Sequence, residues 1–383
     1  MHFTTKGLLA NNINVKILAV NPTRNFVNID LLPLGYIQDT GFECVTVDTA
    51  IKPLRLISNI FRSESYFTER FISAGFETAL KRILQSESFD IVQIEHLYLC
   101  KYIATIKKYS GAKIVLRPQN IEYVIWQRYL KNVGNPLKKI ILKIATGRLK
   151  KFEQSVVADL DGIIALTKED AGLFNSFPGS TPAIIVPMGY DYDNIKGYDF
   201  DRQFSCDPVV YHLGSMDWMP NIEAVEWFLT KVAPKLVEQQ FSGKIVIAGR
   251  KMPSWVFRHK SATIDVIDEV NAPIGFQESK QIMIVPLWSG SGIRAKIIEG
   301  LALGKIIIST SIGAQGIDCE NGKNILIADT ASEFASQIMR CANSKELRMA
   351  ISANARKLSI AQYHNQTTTK NMIAFYNLLL GVD

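Results

Sequence analysis

Residues Ile284–Gly316 read IVPLWSGSGIRAKIIEGLALGKIIISTSIGAQG, and this stretch decides the fold. An apolar strand runs into a turn of Gly290, Ser291 and Gly292, and the turn feeds a helix carrying Arg294, Lys296 and one acid, Glu299. Gly304 ends that helix before a second buried strand, Ile306–Ser309. A glycine-rich turn at a helix start is a ready anion site, because orphan N–H groups and the helix dipole both point at the ligand. Two cations and a carboxylate in the next two turns suit a ligand with both phosphate and hydroxyl groups, the chemistry of a nucleotide sugar.

The same alternation of apolar runs and longer helical patterns extends in both directions, which signals βαβ units and parallel sheets. Strands are expected near Val15–Val20, Glu43–Val47, Ile91–Ile94, Lys113–Leu116, Gly162–Ala165 and Ala183–Val186. A second set is expected near Val209–Leu213, Lys244–Ala248, Thr263–Val266, Ile282–Val285, Ile306–Ser309 and Asn324–Ile327. Each set suffices for its own doubly wound sheet. The polar, turn-rich segment after Pro187 is the best linker, so the division is 1–190, a linker at 191–208, and 209–360. Residues 361–383 form a last helix returning to the first domain. The first dozen residues, MHFTTKGLLANN, already look like a helix with an Asn cap, so the strand and Gly-rich turn that normally open such a domain are missing. Either the domain starts with a helix or an upstream strand and turn belong to it.

Composition bounds the rest. At 383 residues, 47% apolar and 21% charged, the chain is long enough for two ordinary globular domains. No apolar run approaches the roughly 18 residues of a membrane span, and the N-terminus is a poor signal peptide. Five scattered cysteines without a CxxC favour free thiols in a reducing cytoplasm. The five histidines lack metal-ligand spacing, and no GxSxG elbow or HExxH is present. Gly300–Ile306 falls short of a P-loop.

Three further stretches accompany the opening one: HLGSMDWMPNIEAVEWFLTKVAPKL from His212, RPQNIEYVIWQRY from Arg117, and FDIVQIEHLYLCKYI from Phe89. Together they resemble, in order, the retaining glycosyltransferases of family 4, the "group 1" enzymes. More closely, they are similar to the branch whose donor motif reads G-x-G-x-R-x-K-x-x-E. The resemblance implies the GT-B fold, two Rossmann-like doubly wound domains facing across a cleft. The donor nucleotide sugar is then held mainly by the second domain and the acceptor by the first.

Carried over by position, Glu299 matches the acid that hydrogen-bonds the nucleotide ribose, and Gly290, Ser291, Gly292, Ile293 and Arg294 match the segment under the diphosphate and donor sugar. Gly214 and Ser215 match the opposite phosphate-facing turn, and Arg250 and Lys251 sit in a second such turn. Three departures stand out. Ser291 replaces the family's first Glu, the cations that often follow the second domain's first strand are absent, and Gln119 stands where the first-domain motif commonly has His. Arg294, Lys296, Arg250 or Lys251 must then neutralise the diphosphate. Gln119 can hydrogen-bond a sugar hydroxyl but cannot act as a base.

On the acceptor side, His96 follows a strand end, where open α/β sheets bind ligands, or is a structural histidine. Asn120 and Glu122 line the same side or cap the helix beginning near Val124. The catalytic group is thus unassigned between His96 and Gln119, and no side chain is a convincing nucleophile. Front-face displacement, with the leaving phosphate helping to deprotonate the acceptor, fits best. No metal is required, because the Asp-x-Asp pairs lie in the linker. The open alternatives are a non-catalytic nucleotide-sugar-binding or partner protein, or another enzyme of the fold such as an epimerase.

Charge concentrates in the first half, which holds 23 basic against 16 acidic residues, while the remainder balances. Lys101–Lys151 alone carries 13 basic residues and one acid, Glu122. Within it, Asn135–Phe152 places Leu137, Ile140, Ile141, Ile144 and Leu149 near one face with lysines around them. That pattern fits an ordinary core-packing helix or a helix on an anionic membrane surface, peripheral on the inner face of the cytoplasmic membrane. No aromatic-basic interleaving supports nucleic acid.

Overall fold

The computed structural model describes residues 2–23, 26–59, 62, 64–131, 133–179, 181–289 and 292–382. The chain forms two compact units, one of Met1–Pro187 with Thr368–Asp383, the other of Met188–Thr367. Both are Rossmann-like: parallel strands alternate with helices in each.

The second unit is built on six parallel strands: β7 (Val209–Leu213), β8 (Lys244–Ala248), β9 (Ile264–Ile267), β10 (Ile282–Val285), β11 (Ile306–Ser309) and β12 (Leu326–Ile327). Their spatial order is β12-β11-β10-β7-β8-β9. Counted within the unit this is 3-2-1-4-5-6, the order of dinucleotide-binding sheets. Helices cover both faces, so strand residues are buried whichever way they point. The IMIV of β10 and IIIS of β11 are buried throughout, at 2% exposure or less. Burying each such isoleucine rather than exposing it is worth about 2–3 kcal/mol.

The first unit holds β1 (Leu18–Pro22), β2 (Glu43–Val47), β3 (Ile91–Ile94), β4 (Lys113–Leu116), β5 (Gly162–Ala165) and β6 (Ala183–Ile185). The sequence suggested one sheet of six. Instead, β1 pairs only with β2, and β3-β4-β5-β6 form a separate ladder among the described residues. The helix His2–Ala10 and the helix Asn365–Leu380 close one face, with Leu8, Met372, Phe375 and Tyr376 buried against Val115, Ile164 and Val186.

Three expectations need correction. Strand β1 begins at Leu18 rather than Val15, because its pairing with β2 starts at Leu18 opposite Glu43, whose side chain meets Lys16 (2.9 Å). Strand β12 keeps only Leu326–Ile327, since Asn324 uses its side chain to accept from Glu320 N (2.8 Å). The segment 191–208 is not a free linker but part of the second unit: Ile195, Tyr198 and the side chain of Gln203 are buried in it.

The helix Pro136–Val156 starts with Asn135 accepting from Lys138 N (3.0 Å) and proline in the first turn. It buries Leu142, Ala145, Leu149 and Val156. Of the apolar face read from the sequence, Leu149 joins the core. Leu137, Ile140 and Ile144 stay 68%, 58% and 36% exposed.

Candidate functional site

In the second unit the strand order reverses between β7 and β10, and ligands of such sheets sit beyond the carboxyl ends at that point. His212, near the end of β7, spans it: its Nδ1 lies 3.3 Å from the Ile284 carbonyl of β10. That contact assigns the proton to Nδ1. Complete burial, with the Lys296 cation nearby, holds His212 well below its usual range, so the ring is neutral.

Past β7 and β8 the chain makes two turns in contact. Gly214 N donates to Ala248 O (3.0 Å) and Met216 N to Arg250 O (3.0 Å). Gly249 has φ +151°, and a Cβ there would fall 1.8 Å from Gly214 O. A Cβ on Gly214 would come within 2.8 Å of both Asn221 Nδ2 and Lys296 Nζ. Both positions therefore need glycine, and the space saved on Gly214 is filled by the lysine.

Lys296 Nζ donates to Asn221 Oδ1 (2.9 Å), while Asn221 Nδ2 donates to Ser215 O (2.8 Å). Asn221 thus ties the lysine to the turn. Burial, reinforced by Arg294 and opposed by Glu299, holds the Lys296 ammonium down to about 7. Arg294 precedes the helix Ala295–Ala302 as its N-cap residue, its guanidinium 5.8 Å from the Trp218 ring centroid. One turn on, Glu299 is fixed by a buried relay: Tyr211 Oη donates to Gln277 Oε1 (2.7 Å), and Gln277 Nε2 donates to Glu299 Oε1 (2.7 Å). Burial raises the Glu299 pKa against the Gln277 hydrogen bond and Lys296.

Gln277 is itself anchored. The fully buried Lys305 ammonium donates to Gln277 O (2.7 Å), Lys280 O (2.7 Å) and Gln203 Oε1 (3.1 Å), fastening the end of the helix Pro273–Glu278. Burial, then Lys280, holds Lys305 down to about 7.

Of the other donor-side residues, Ser215 Oγ donates to Asp217 Oδ1 (2.6 Å) and accepts from Arg250 Nε (2.9 Å). Lys251 Nζ lies 3.0 Å and Arg250 Nη2 3.7 Å from Asp217 Oδ2. Both cations are exposed, and such surface pairs are worth under about 1 kcal/mol, so they can release toward a bound anion. Gly290 and Ser291 lie outside the described residues; Gly292 (φ +76°) and Ile293 follow directly.

The first unit assembles its own cluster. His96 caps the short helix Leu97–Tyr102, its Nδ1 accepting from Tyr98 N (3.5 Å), and its Nε2 lies 3.7 Å from Glu122 Oε1. Tyr98 Oη donates to Glu122 Oε2 (2.7 Å). Burial lowers the His96 pKa, Glu122 opposing and Arg70 adding to the shift. Gln119 points elsewhere: with Arg117 it donates to Glu95 Oε2 (3.2 and 3.1 Å). The described contacts do not bring Gln119 to His96.

The helix expected near Val124 starts at Glu122, and its cap is Glu153. The Glu153 carboxylate accepts from Glu122 N and Tyr123 N (3.0 Å each), and burial lifts its pKa to about 8. Sequence did not foresee Glu153 as this cap.

Sequence reasoning missed Asn221, Gln277, Lys305, His212, Glu153 and Arg70. His212 and Asn221 lie in the quoted HLGSMDWMPN stretch and Lys305 in the opening one. The partners of all six are too far along the chain for any local pattern.

Residues 207–344 match the family of glycosyl transferases group 1. The second unit carries a glycosyl transferases group 1 domain. The match lies within the second unit and spans β7 through β12. The transferase is 22% identical over 288 residues to an uncharacterized 44.6 kDa protein in the cps region of Klebsiella pneumoniae, covering 72% of this chain and 71% of that one. In fold it is similar to the sucrose-phosphate synthase of Thermosynechococcus elongatus (TM-score 0.68, 12% identity, 99% of this chain and 92% of that one). It is also similar to Anabaena HepE, solved in complex with UDP and glucose (TM-score 0.58, 10% identity, 89% and 88% covered). These structural likenesses bear on the fold of the transferase, two Rossmann-like domains.

Proposed function

We propose that the transferase moves a sugar from a nucleoside-diphosphate donor, with retention of anomeric configuration, onto a glycan or lipid-linked acceptor during bacterial surface polysaccharide synthesis. One observation carries the donor half of this reading: at the strand-order reversal, Lys296 Nζ packs on the Gly214 turn while Glu299 is held by Gln277 one helical turn away. Phosphate and ribose need a cation and a carboxylate at about that spacing.

In this reading Glu299 accepts from the ribose hydroxyls. The N–H groups at the start of the helix Ala295–Ala302, with Arg294 and Lys296, take the diphosphate and stabilise charge as it leaves. Gly214 and Ser215 close on the phosphates from the β7 side, and Arg250 and Lys251 exchange Asp217 for the donor. These cations make a metal unnecessary. Ser291 stands in for the family's usual glutamate toward the donor sugar. Asn120 and Glu122 serve the acceptor. His96, its Nδ1 accepting from Tyr98 N and its Nε2 beside Glu122, has no free ring nitrogen for a proton, so the acceptor proton goes to the leaving phosphate, and Gln119 can only hydrogen-bond the hydroxyl. The UDP seen with HepE and the cps-region origin of the Klebsiella relative support the donor class and the pathway.

The helix Pro136–Val156 extends the proposal to an anionic membrane surface. Its exposed Leu137, Ile140 and Ile144 recur at helical spacing, with exposed Lys138, Lys139 and Lys143 beside them. Among the described residues, no helix is long and apolar enough to cross a membrane.

The test is a panel of UDP-, GDP- and other nucleoside-diphosphate sugars, incubated with the protein and followed by NMR. Release of nucleotide from one donor, with the sugar's first product anomer matching the donor, is the expected result. Inversion at the anomeric carbon would overturn retention, and nucleotide binding without turnover in any acceptor extract would favour a binding protein.

A further inference from the structure

A groove of about 730 Å³ opens in the first unit at the carboxyl end of β2, between the loop after Val47, the helix Pro53–Ser58 and the helix Tyr66–Glu69. Its volume falls in the range of small-ligand sites. Four cations, Lys52, Arg55, Arg62 and Arg70, face it with two carboxylates, Asp48 and Glu69. Lys52 is spent on Asp48 (2.6 Å), and Arg62 lies 3.7 Å from Glu69, which also accepts from Asn59 Nδ2 (3.2 Å). Among the described residues, neither Arg55 nor Arg70 has a carboxylate within ion-pair distance.

The groove is built rather than incidental. Tyr66 Oη accepts from Lys52 N (2.7 Å) and donates to Lys52 O (3.3 Å), pinning the loop. Arg70 Nη1 donates to Thr49 O (2.5 Å) on the same loop. The Arg70 guanidinium lies 6.0, 6.0 and 5.6 Å from the ring centroids of Tyr66, Phe67 and Phe71, and its buried Nε has no hydrogen-bond partner. Burial alone pulls its pKa down, against the fields of Tyr98, Tyr66 and Glu122. A half-buried guanidinium with a spare donor is costly until an anion meets it, and guanidinium groups are suited to gripping carboxylate or phosphate through paired donors.

The groove also abuts the acceptor-side cluster. Phe71, next to Arg70, stacks on His96 (5.9 Å) and packs on Tyr98 (4.7 Å), and the Arg70 charge acts on His96. We infer that this groove takes an acidic sugar, its carboxylate or phosphate seated between Arg55 and Arg70, so that the acceptor is an anionic glycan unit. The inference rests on the reading that the first unit receives the acceptor. A neutral acceptor would leave both guanidinium groups without an ion-pair partner among the described residues.

The test uses the whole chain, titrated at low salt with glucuronate, glucose 6-phosphate and glucose and followed by ligand-observed NMR. At least one acidic sugar should bind tenfold or more tightly than glucose, the two arms deciding between carboxylate and phosphate. Arg55→Gln, at an exposed position, should cost most of that preference with the thermal midpoint unchanged, and Arg70→Lys should also weaken it. Equal binding of all three sugars, no binding by any, or an unaltered acid preference in both variants would overturn the inference. Thermal stabilisation by nucleotides, measured on the same samples, reports the donor site separately: retained nucleotide binding with no acid preference refutes only the acceptor chemistry.

Discussion

Lys296 makes donor binding a proton-linked event. Its ammonium, ordinarily near 10.5, is held down to about 7 in the free chain by burial and by Arg294. It faces Asn221, Arg294, Glu299 and the neutral His212. A diphosphate against Nζ favours the ammonium and returns the pKa toward its ordinary value. Binding then takes up a proton, so affinity is greatest below pH 7 and falls as pH rises above it. With one proton linked, Kd rises up to tenfold per unit above about pH 7, which amounts to roughly 15-fold, or about 1.6 kcal/mol, between pH 7 and 8.5. At pH 7 about half a proton is taken up per donor bound.

Isothermal titration with the nucleotide sugar chosen by the panel, in buffers of different ionisation enthalpy, reads both quantities. The diphosphate of such a donor does not itself titrate in this range. Lys305, the other lysine held near 7, is bonded to three oxygen acceptors and serves as the competing source. Lys296→Met should therefore abolish the slope. A flat Kd from pH 6.5 to 8.5 without proton uptake, or a slope that survives in Lys296→Met, would refute the reasoning.

Three other predictions follow from the same geometry. Gly249→Ala drives a Cβ into Gly214 O and should cost about 3 kcal/mol or more, lowering the melting temperature by roughly 6–12 °C for a unit of this size; a calorimetric scan matching wild type would show that the two turns do not pack as described. Glu299→Gln should weaken nucleotide binding by about 10- to 100-fold, the worth of charged hydrogen bonds. A nucleotide lacking both ribose hydroxyls should lose nothing further in that variant, and an additive loss would remove Glu299 from the ribose. Replacing both Leu137 and Ile140 by Ser should release the protein from vesicles containing anionic lipid in a flotation assay. Unchanged flotation, or none in wild type, would leave the exposed stripe without a membrane role.

The fold was legible wherever a strand is buried on both faces. Runs such as Ile282–Val285 and Ile306–Ser309 admit no alternation, and the turn residues beside them fix where the helices begin. Strand ends were less legible, because partners outside the apolar run set them: β1 starts only where Glu43 of β2 faces it, and Asn324 leaves β12 to close its own turn. The start of the helix Glu122–Lys131 depends on a carboxylate 31 residues away. No capping rule based on neighbouring residues finds it.

The donor-side site divides the same way. Lys296 and Glu299 could be read together because three residues on a helix put side chains on one face. What gives them their properties could not. Gln277 reaches Glu299 across 22 residues, and Asn221 reaches Lys296 across 75. The amphipathic reading of the helix Pro136–Val156 was ambiguous for a related reason: periodicity shows that apolar side chains share a face, but not whether anything covers it. Leu149 is covered, and Leu137, Ile140 and Ile144 are not.

The central claim, that the second unit binds a nucleoside diphosphate at the Gly214 turn and the helix Ala295–Ala302, is tested most directly by equilibrium titration. UDP, GDP, dTDP and CDP would each be titrated into the whole chain with EDTA present. One nucleotide should bind in the micromolar range without metal, and Lys296→Met and Glu299→Gln should each weaken it at least tenfold. Binding by none of them, or binding that requires a divalent ion and ignores both substitutions, would contradict the account.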